Sequence, residues 1–204
     1  QAFFEPVANP RQTLGISEDV PVIFVTGGSS GAERINTLVL DSLDELLPNY
    51  IIIHQAGAAN QALVQETALA RNLPGRLLER YFVLGHVPAN IMAAAYEAAS
   101  LVISRAGSTS IFEIALKGKP SIIIPIPESI SHDQRTNAYA YARSGAASVI
   151  EEENLTDGLL AAEIQRIMTD ERVYQDMATA AAQFTNPDAA AKLASTALGI
   201  AREH

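Results

Sequence analysis

The chain contains no cysteine. A disulfide frame, a thiolate nucleophile and a Cys-type zinc site are therefore excluded, and the composition fits a reducing cytoplasm. Positive charge is scarce as well: 14 Lys and Arg stand against 23 Asp and Glu, for a net charge of −9. A nucleic-acid surface needs clustered cations, so nucleic acid is not an expected partner. No apolar run reaches the roughly 18 residues of a membrane-crossing helix, so no membrane span is expected. No signal peptide is visible at the start. No cluster has metal-ligand spacing, and no Asp-x-Asp pair is present to hold a divalent ion on a diphosphate. A metal is not expected.

What is present can build a core. The 204 residues are 48% hydrophobic and 18% charged, which makes one large domain or two small ones and argues against disorder. The chain opens on Gln1, and residues 1–17 carry two prolines and little periodicity. They are expected to be a linker cut from something longer, leaving 18–204 as the folded domain.

The most informative stretch is Val25-Thr26-Gly27-Gly28-Ser29-Ser30-Gly31-Ala32, where an apolar run over 20–25 ends in a turn and a helical pattern starts at once. A helix start leaves backbone N–H groups unpaired, and glycines allow a phosphate to approach the main chain. Downstream, strands are expected at 51–53, 81–87, 101–104, 121–126 and 147–150. Helices are expected at 31–47, to about 72, at 88–99, to 117 and at 132–143, then at 156–168, 171–184 and from Asn186-Pro187-Asp188 toward Arg202. Six β-α units in strict alternation predict an α/β fold: a Rossmann-like, doubly wound parallel six-stranded sheet with helices on both faces, ending in C-terminal helices. Ligands in such sheets sit beyond the C-terminal strand ends. The shortlist is then 27–31, 54–57, 85–87, 105–110 and 127–134, all polar or Gly-rich.

Several chemistries compete for these residues. A Walker P-loop needs Lys followed by Ser or Thr after its last glycine, where Ala32-Glu33 stands. A short-chain dehydrogenase begins with the same Thr-Gly-Gly-Ser-Ser-Gly. It also needs a further glycine where Glu33 lies, an acidic residue where His54-Gln55 lies, and a Tyr and Lys four apart, for which Tyr139 and Arg143 do not serve. A tight turn without a ligand remains open. Ser110 and Glu113 have capping-box spacing, yet a carboxylate one turn into that helix is equally placed to accept from the paired hydroxyls of a ribose. Ser131 and Gln134 repeat that ambiguity, since Asp133 and Gln134 also suit sugar hydroxyls. His86 and His132 lie at strand ends and can be solvated or touch a phosphate; His54 is read as strand packing.

Together these residues resemble the nucleotide-sugar-binding half of the MurG-type glycosyltransferases. The matching segments are Asn9-Pro10-Arg11, the Gly27–Gly31 turn with Asn36, and Met92-Ala93-Ala94-Ala95-Tyr96. They continue with Ile103-Ser104-Arg105-Ala106-Gly107-Ser108 and Glu113, Gly118-Lys119-Pro120-Ser121 with Pro125, and Gln134 with Asn137-Ala138. The resemblance implies one half of a GT-B fold in an inverting, metal-independent enzyme without cofactor. That enzyme transfers GlcNAc from UDP-GlcNAc to an undecaprenyl-linked, lipid I-like acceptor in peptidoglycan synthesis. It implies diphosphate contacts at Gly28, Ser29, Ser30 and Gly31, and a uracil contact through the main chain near Val87. Ser108, Thr109 and Ser110 would line the phosphate pocket, and Glu113 would hold the ribose. Asp133 and Gln134 would contact GlcNAc, although the family commonly has His-Gln or Gln-Gln at that pair. The general base and the acceptor site would lie in an N-terminal half or partner subunit. The chain alone would then be inactive, cytoplasmic, and peripheral to the inner face of the membrane through that other half. An Alg13-type lone binding subunit and a non-catalytic nucleotide-sugar sensor are the alternatives.

Overall fold

The computed structural model describes residues 5–28, 31–155 and 158–185. Six parallel strands form one sheet: β1 (Val22–Thr26), β2 (Ile51–Gln55), β3 (Tyr81–Leu84), β4 (Leu101–Ser104), β5 (Ser121–Ile123) and β6 (Ala147–Val149). Their order is β3-β2-β1-β4-β5-β6. The chain therefore winds outward from β1 to β3, crosses back to lay β4 on the other side of β1, and winds outward again. That reversal makes a crevice at the C-terminal ends of β1 and β4. The expected doubly wound α/β architecture is the observed one.

Alternation along the strands sorts the side chains into two cores. Ile23, Val25, Ile52, Leu101 and Ile103 pack under helices α2 (Glu33–Leu46), α3 (Gln61–Ala70) and α8 (Leu159–Thr169). Val22, Phe24, Ile51, Ile53 and Val102 point the opposite way, toward α5 (Ala89–Ala98), α6 (Ser108–Leu116) and α7 (His132–Arg143). Every residue of β1, β2, β4 and β5 is buried, as a sheet covered on both faces requires. The last helix, α9 (Glu171–Phe184), sends Met177 into the first core and Ala181 into the second, so it straddles the sheet edge.

Some boundaries differ from expectation for local reasons. The β5 ladder ends at Ile123, before Pro125 and Pro127, which carry no N–H to donate. β3 stops at Leu84, where Gly85 lies tight against Gln61 Oε1. β2 runs two residues beyond Ile53, through His54 and Gln55. The Pro74-Gly75 break also opens a short helix, α4 (Gly75–Leu78), with Pro74 as its N-cap. In the segment expected to be a linker, α1 (Pro10–Thr13) forms a helical turn packed on α5, and Ile16 is buried. The helix expected from 156 begins at Leu159, after Gly158 in the left-handed region at φ 80°. The expected last helix from 186 lies outside the described residues.

Among the described residues His54 is the one histidine in the core, with no exposed surface. Its Nε2 lies 3.0 Å from Asn36 Oδ1 and its Nδ1 2.7 Å from Tyr81 Oη. An amide oxygen can only accept, so Nε2 carries the proton and the Tyr81 hydroxyl donates to Nδ1. Burial pulls this imidazole down to about 4. An unfolded chain protonates it near 6.5, so the stabilisation is complete above that pH and is lost as pH falls from 6.5 toward 4. The loss is on the order of 3 kcal/mol at about 1.4 kcal/mol per unit. Denaturant titrations of wild type and His54→Gln between pH 7 and 4.5 check this. The variant is expected to be less stable at pH 7 and flatter with pH; an unchanged slope contradicts the assignment.

Candidate functional site

The turn after β1 is built by close approach. Gly31 has φ +74°, and a Cβ placed there would overlap the Ala56 carbonyl oxygen and come within 2.7 Å of Asn60 Nδ2. The same carbonyl accepts from Asn36 Nδ2 at 3.1 Å and from Asn60 Nδ2 at 3.2 Å. Asn36 is in turn held by His54. One oxygen at the end of β2 thus fixes α2, α3 and the glycine turn relative to one another.

The turn's own amides are partly committed. Gly31 N–H donates to Gly28 O at 3.1 Å, and Gly28 N–H to Thr26 Oγ1 at 3.2 Å. The Thr26 hydroxyl passes its proton on to Gln55 Oε1 at 2.6 Å. Further donors lie at the start of α2, whose N-cap Ala32 offers no side-chain bond, so the first-turn amides have no side-chain cap among the described residues. Ser29 and Ser30 lie outside the described residues.

Helices α6 and α7 begin at the same rim. α6 starts at Ser108 with Gly107 as its N-cap, so Ser110 is inside the helix and the capping-box reading of Ser110 and Glu113 does not hold. Glu113 reaches back to α5, where it accepts a hydrogen bond from Tyr96, whose ring is fully buried edge-on against Phe24 at 4.9 Å. Burial lifts the Glu113 carboxyl above the usual carboxylate range, and the Tyr96 bond opposes that shift. Ser108 and Thr109 are exposed and Ser110 half-buried. Ser108 also lines an open cleft of about 350 Å³ with Ile111, Asn137 and Ala140.

In α7 the N-cap is Ser131, whose side chain caps nothing, and Gln134 Oε1 instead accepts from Ile126 N–H at 3.4 Å. The second capping box therefore fails too. Asp133 is exposed in the first turn, and Asn137 Nδ2 ties α7 to Ala106 O at 3.3 Å. The uncapped starts of α2, α6 and α7 contrast with α9, where Asp170 accepts from Arg172 N and Val173 N at 3.0 and 3.1 Å.

The remaining shortlisted residues fall at the margins. Val87 is half-buried in the loop after β3, at the edge of the sheet, and His86 beside it is exposed. His132 is exposed and bonded to Glu128 Oε1 at 3.0 Å. Arg105 is taken up structurally: it bonds Ile124 O and Pro125 O at 3.3 and 3.2 Å and pairs with Glu152, joining the loops after β4, β5 and β6. Beside it, Glu128, Glu151, Glu152 and Glu153 line a cleft of about 230 Å³ with Arg135, an electrostatically poor place for a diphosphate. Gln55 and Tyr96 are the polar groups at the crevice that local spacing did not single out as contacts. Their partners, Thr26 and Glu113, are distant in sequence.

Comparison with known proteins follows the same lines. The glycosyltransferase family 28 C-terminal domain matches residues 22–193. The UDP-N-acetylglucosamine–N-acetylmuramyl-(pentapeptide) pyrophosphoryl-undecaprenol N-acetylglucosamine transferase of Syntrophus aciditrophicus is 36% identical over 204 residues, covering 98% of this chain and 53% of that protein. The crystal structure of Acinetobacter baumannii MurG superposes with a TM-score of 0.75 at 25% identity, over 95% of this chain and 54% of that one. The solution structure of ALG13 shares the fold, with a TM-score of 0.55 at 17% identity over 76% of this chain and 88% of that one. The chain thus spans about half the length of the curated relatives it matches. With its sheet, its switch-point crevice and its sequence all in agreement, the chain belongs to glycosyltransferase family 28, to that family's C-terminal domain.

Proposed function

We propose that this chain is the donor-binding half of a transferase that moves GlcNAc from UDP-GlcNAc to an undecaprenyl-linked, lipid I-like acceptor. The observation that carries the reading is Glu113, a half-buried carboxylate near the crevice that, among the described residues, accepts a side-chain hydrogen bond from Tyr96. Desolvating a carboxylate costs stability, and a ribose 2′,3′-diol offers two donors that repay it. The names of the curated relatives support GlcNAc as the sugar and a pyrophosphoryl-undecaprenol acceptor.

In this reading the uracil meets the main chain near Val87, and Ser108, Thr109 and Ser110 line the phosphate pocket. The diphosphate rests on Gly28, Ser29, Ser30 and Gly31 with the start of α2 behind them. Asp133 and Gln134 contact the sugar hydroxyls. An acceptor hydroxyl attacks the anomeric carbon, its C–O bond forms as the bond to the β-phosphate oxygen breaks, and configuration inverts. The negative charge that develops on UDP is stabilised by amide dipoles already aligned at the helix start. The proton leaves to a base in the acceptor half, an N-terminal domain or partner subunit. The chain by itself binds donor without turnover, and it acts on the cytoplasmic side, peripheral to the membrane through that other half. No helix among the described residues is long and apolar enough to cross a membrane.

A second reading is a lone donor-binding subunit recruiting a separate acceptor subunit; ALG13, 88% of whose chain is covered, shares the fold. The gene upstream of Gln1 separates the two: an acceptor domain in the same reading frame supports the single-chain enzyme.

Isothermal calorimetry with UDP, UDP-GlcNAc, UDP-glucose and NADH tests the reading. UDP and UDP-GlcNAc are expected to bind and NADH is not. Glu113→Ala should weaken UDP by about 1.5–3 kcal/mol, the range for hydrogen bonds to a charged group. Because a raised carboxyl is destabilising while ionised, Glu113→Gln is expected to keep or raise the melting temperature while still weakening UDP. A variant that loses stability yet keeps full UDP affinity contradicts the role. Gly31→Ala, strained in the left-handed region and blocked by Ala56, should cost more than about 1 kcal/mol of folding stability and lower UDP affinity. Denaturant titration and calorimetry measure the two effects.

A further inference from the structure

Gln55 is the last residue of β2 and only 6% exposed. It stands in register with Thr26 at the end of β1, and Thr26 stands in register with Ser104 at the end of β4. These three polar side chains close the strand ends of the core that holds Phe24, Ile53 and Val102, the core of Tyr96. The direction of hydrogen bonding fixes how the Gln55 amide is turned. Gly28 N–H donates to Thr26 Oγ1, so the single Thr26 hydroxyl proton is free to go to Gln55 at 2.6 Å, and the atom receiving it must be the oxygen. Reversing the amide would leave Thr26 with two donors pointing at it and its own proton without an acceptor.

The consequence is a side-chain nitrogen with two N–H groups and no partner among the described residues. Leaving an amide donor unpaired in so buried a place costs stability, which a bound acceptor recovers. With one Oε1 lone pair taken by Thr26, the larger free capacity of Gln55 is its two N–H donors. That matches the acceptor-only oxygens of a diphosphate better than a sugar hydroxyl, which both donates and accepts. It is also one hydrogen bond away from the turn, through Thr26 to Gly28.

Building on the nucleotide-sugar reading above, we infer that Gln55 is a further donor-binding residue whose side-chain amide donates to the diphosphate beside the glycine turn. Gln55→Glu tests it, because that change keeps the shape and the acceptor for Thr26 but replaces the donor with a charged oxygen. In the 204-residue chain, calorimetric UDP affinity is expected to fall tenfold or more, while uridine affinity, measured by NMR titration, stays within twofold. Gln55→Met, which removes the donor without adding charge, should show the same split and serves if thermal melting finds the Glu variant unfolded. Unchanged UDP affinity, or equal losses for UDP and uridine, overturns the inference. Failure of the wild-type chain to bind UDP would overturn the nucleotide-sugar reading itself, and this inference with it.

Discussion

The Ala56 carbonyl is the constraint on which the crevice depends. It is the first main-chain oxygen past the end of β2 at Gln55, and two asparagine side chains, Asn36 in α2 and Asn60 at the N-cap of α3, converge on it. Gly31 presses against it so closely that no side chain fits. Behind Asn36 stands His54, and behind His54 stands Tyr81, so the arrangement extends across the sheet to β3. A strand-to-helix turn is ordinarily the most mobile part of an α/β unit. Here its exit at Gly31 is backed by a buried polar chain that runs from Tyr81 through His54 and Asn36 to the Ala56 carbonyl.

The two faces of the sheet divide the work. The face carrying α2 and α3 holds the turn in place through the His54 network. The face carrying α5 and α6 supplies polar groups with spare capacity among the described residues: Glu113, bonded to Tyr96, and Gln55, whose oxygen accepts from Thr26 while its nitrogen has no partner there. Groups of this kind reduce the stability of the empty protein and are retained where a ligand completes them. The remote end of the molecule is arranged differently, with the start of α9 capped by its own Asp170.

Much of this was legible in the sequence because it rests on local chemistry. Alternating β and α patterns gave the parallel sheet, and β4, α7 and α9 fall where periodicity and punctuation placed them. Other features were not local. The S-x-x-E spacing of Ser110 and Glu113 reads as a cap only if the helix starts at Ser110, and Gly107 started it earlier. Once inside the helix, the carboxylate found its partner on α5, at Tyr96. Gln55 stood on the strand-end shortlist with 54–57, but only strand register sets it beside Thr26. The helical turn at Pro10–Thr13 was hidden because its stability comes from packing on α5 and not from its own pattern.

The central claim is that a nucleoside diphosphate sits in the crevice between the glycine turn and α6. Backbone NMR of the 204-residue chain during a UDP titration tests it most directly. The account predicts saturable amide shifts concentrated at residues 26–36, at Gln55, near Val87 and over 107–113. Shifts confined to the acidic cleft around Glu128 and Glu151–Glu153, or none at all at millimolar UDP, would contradict it.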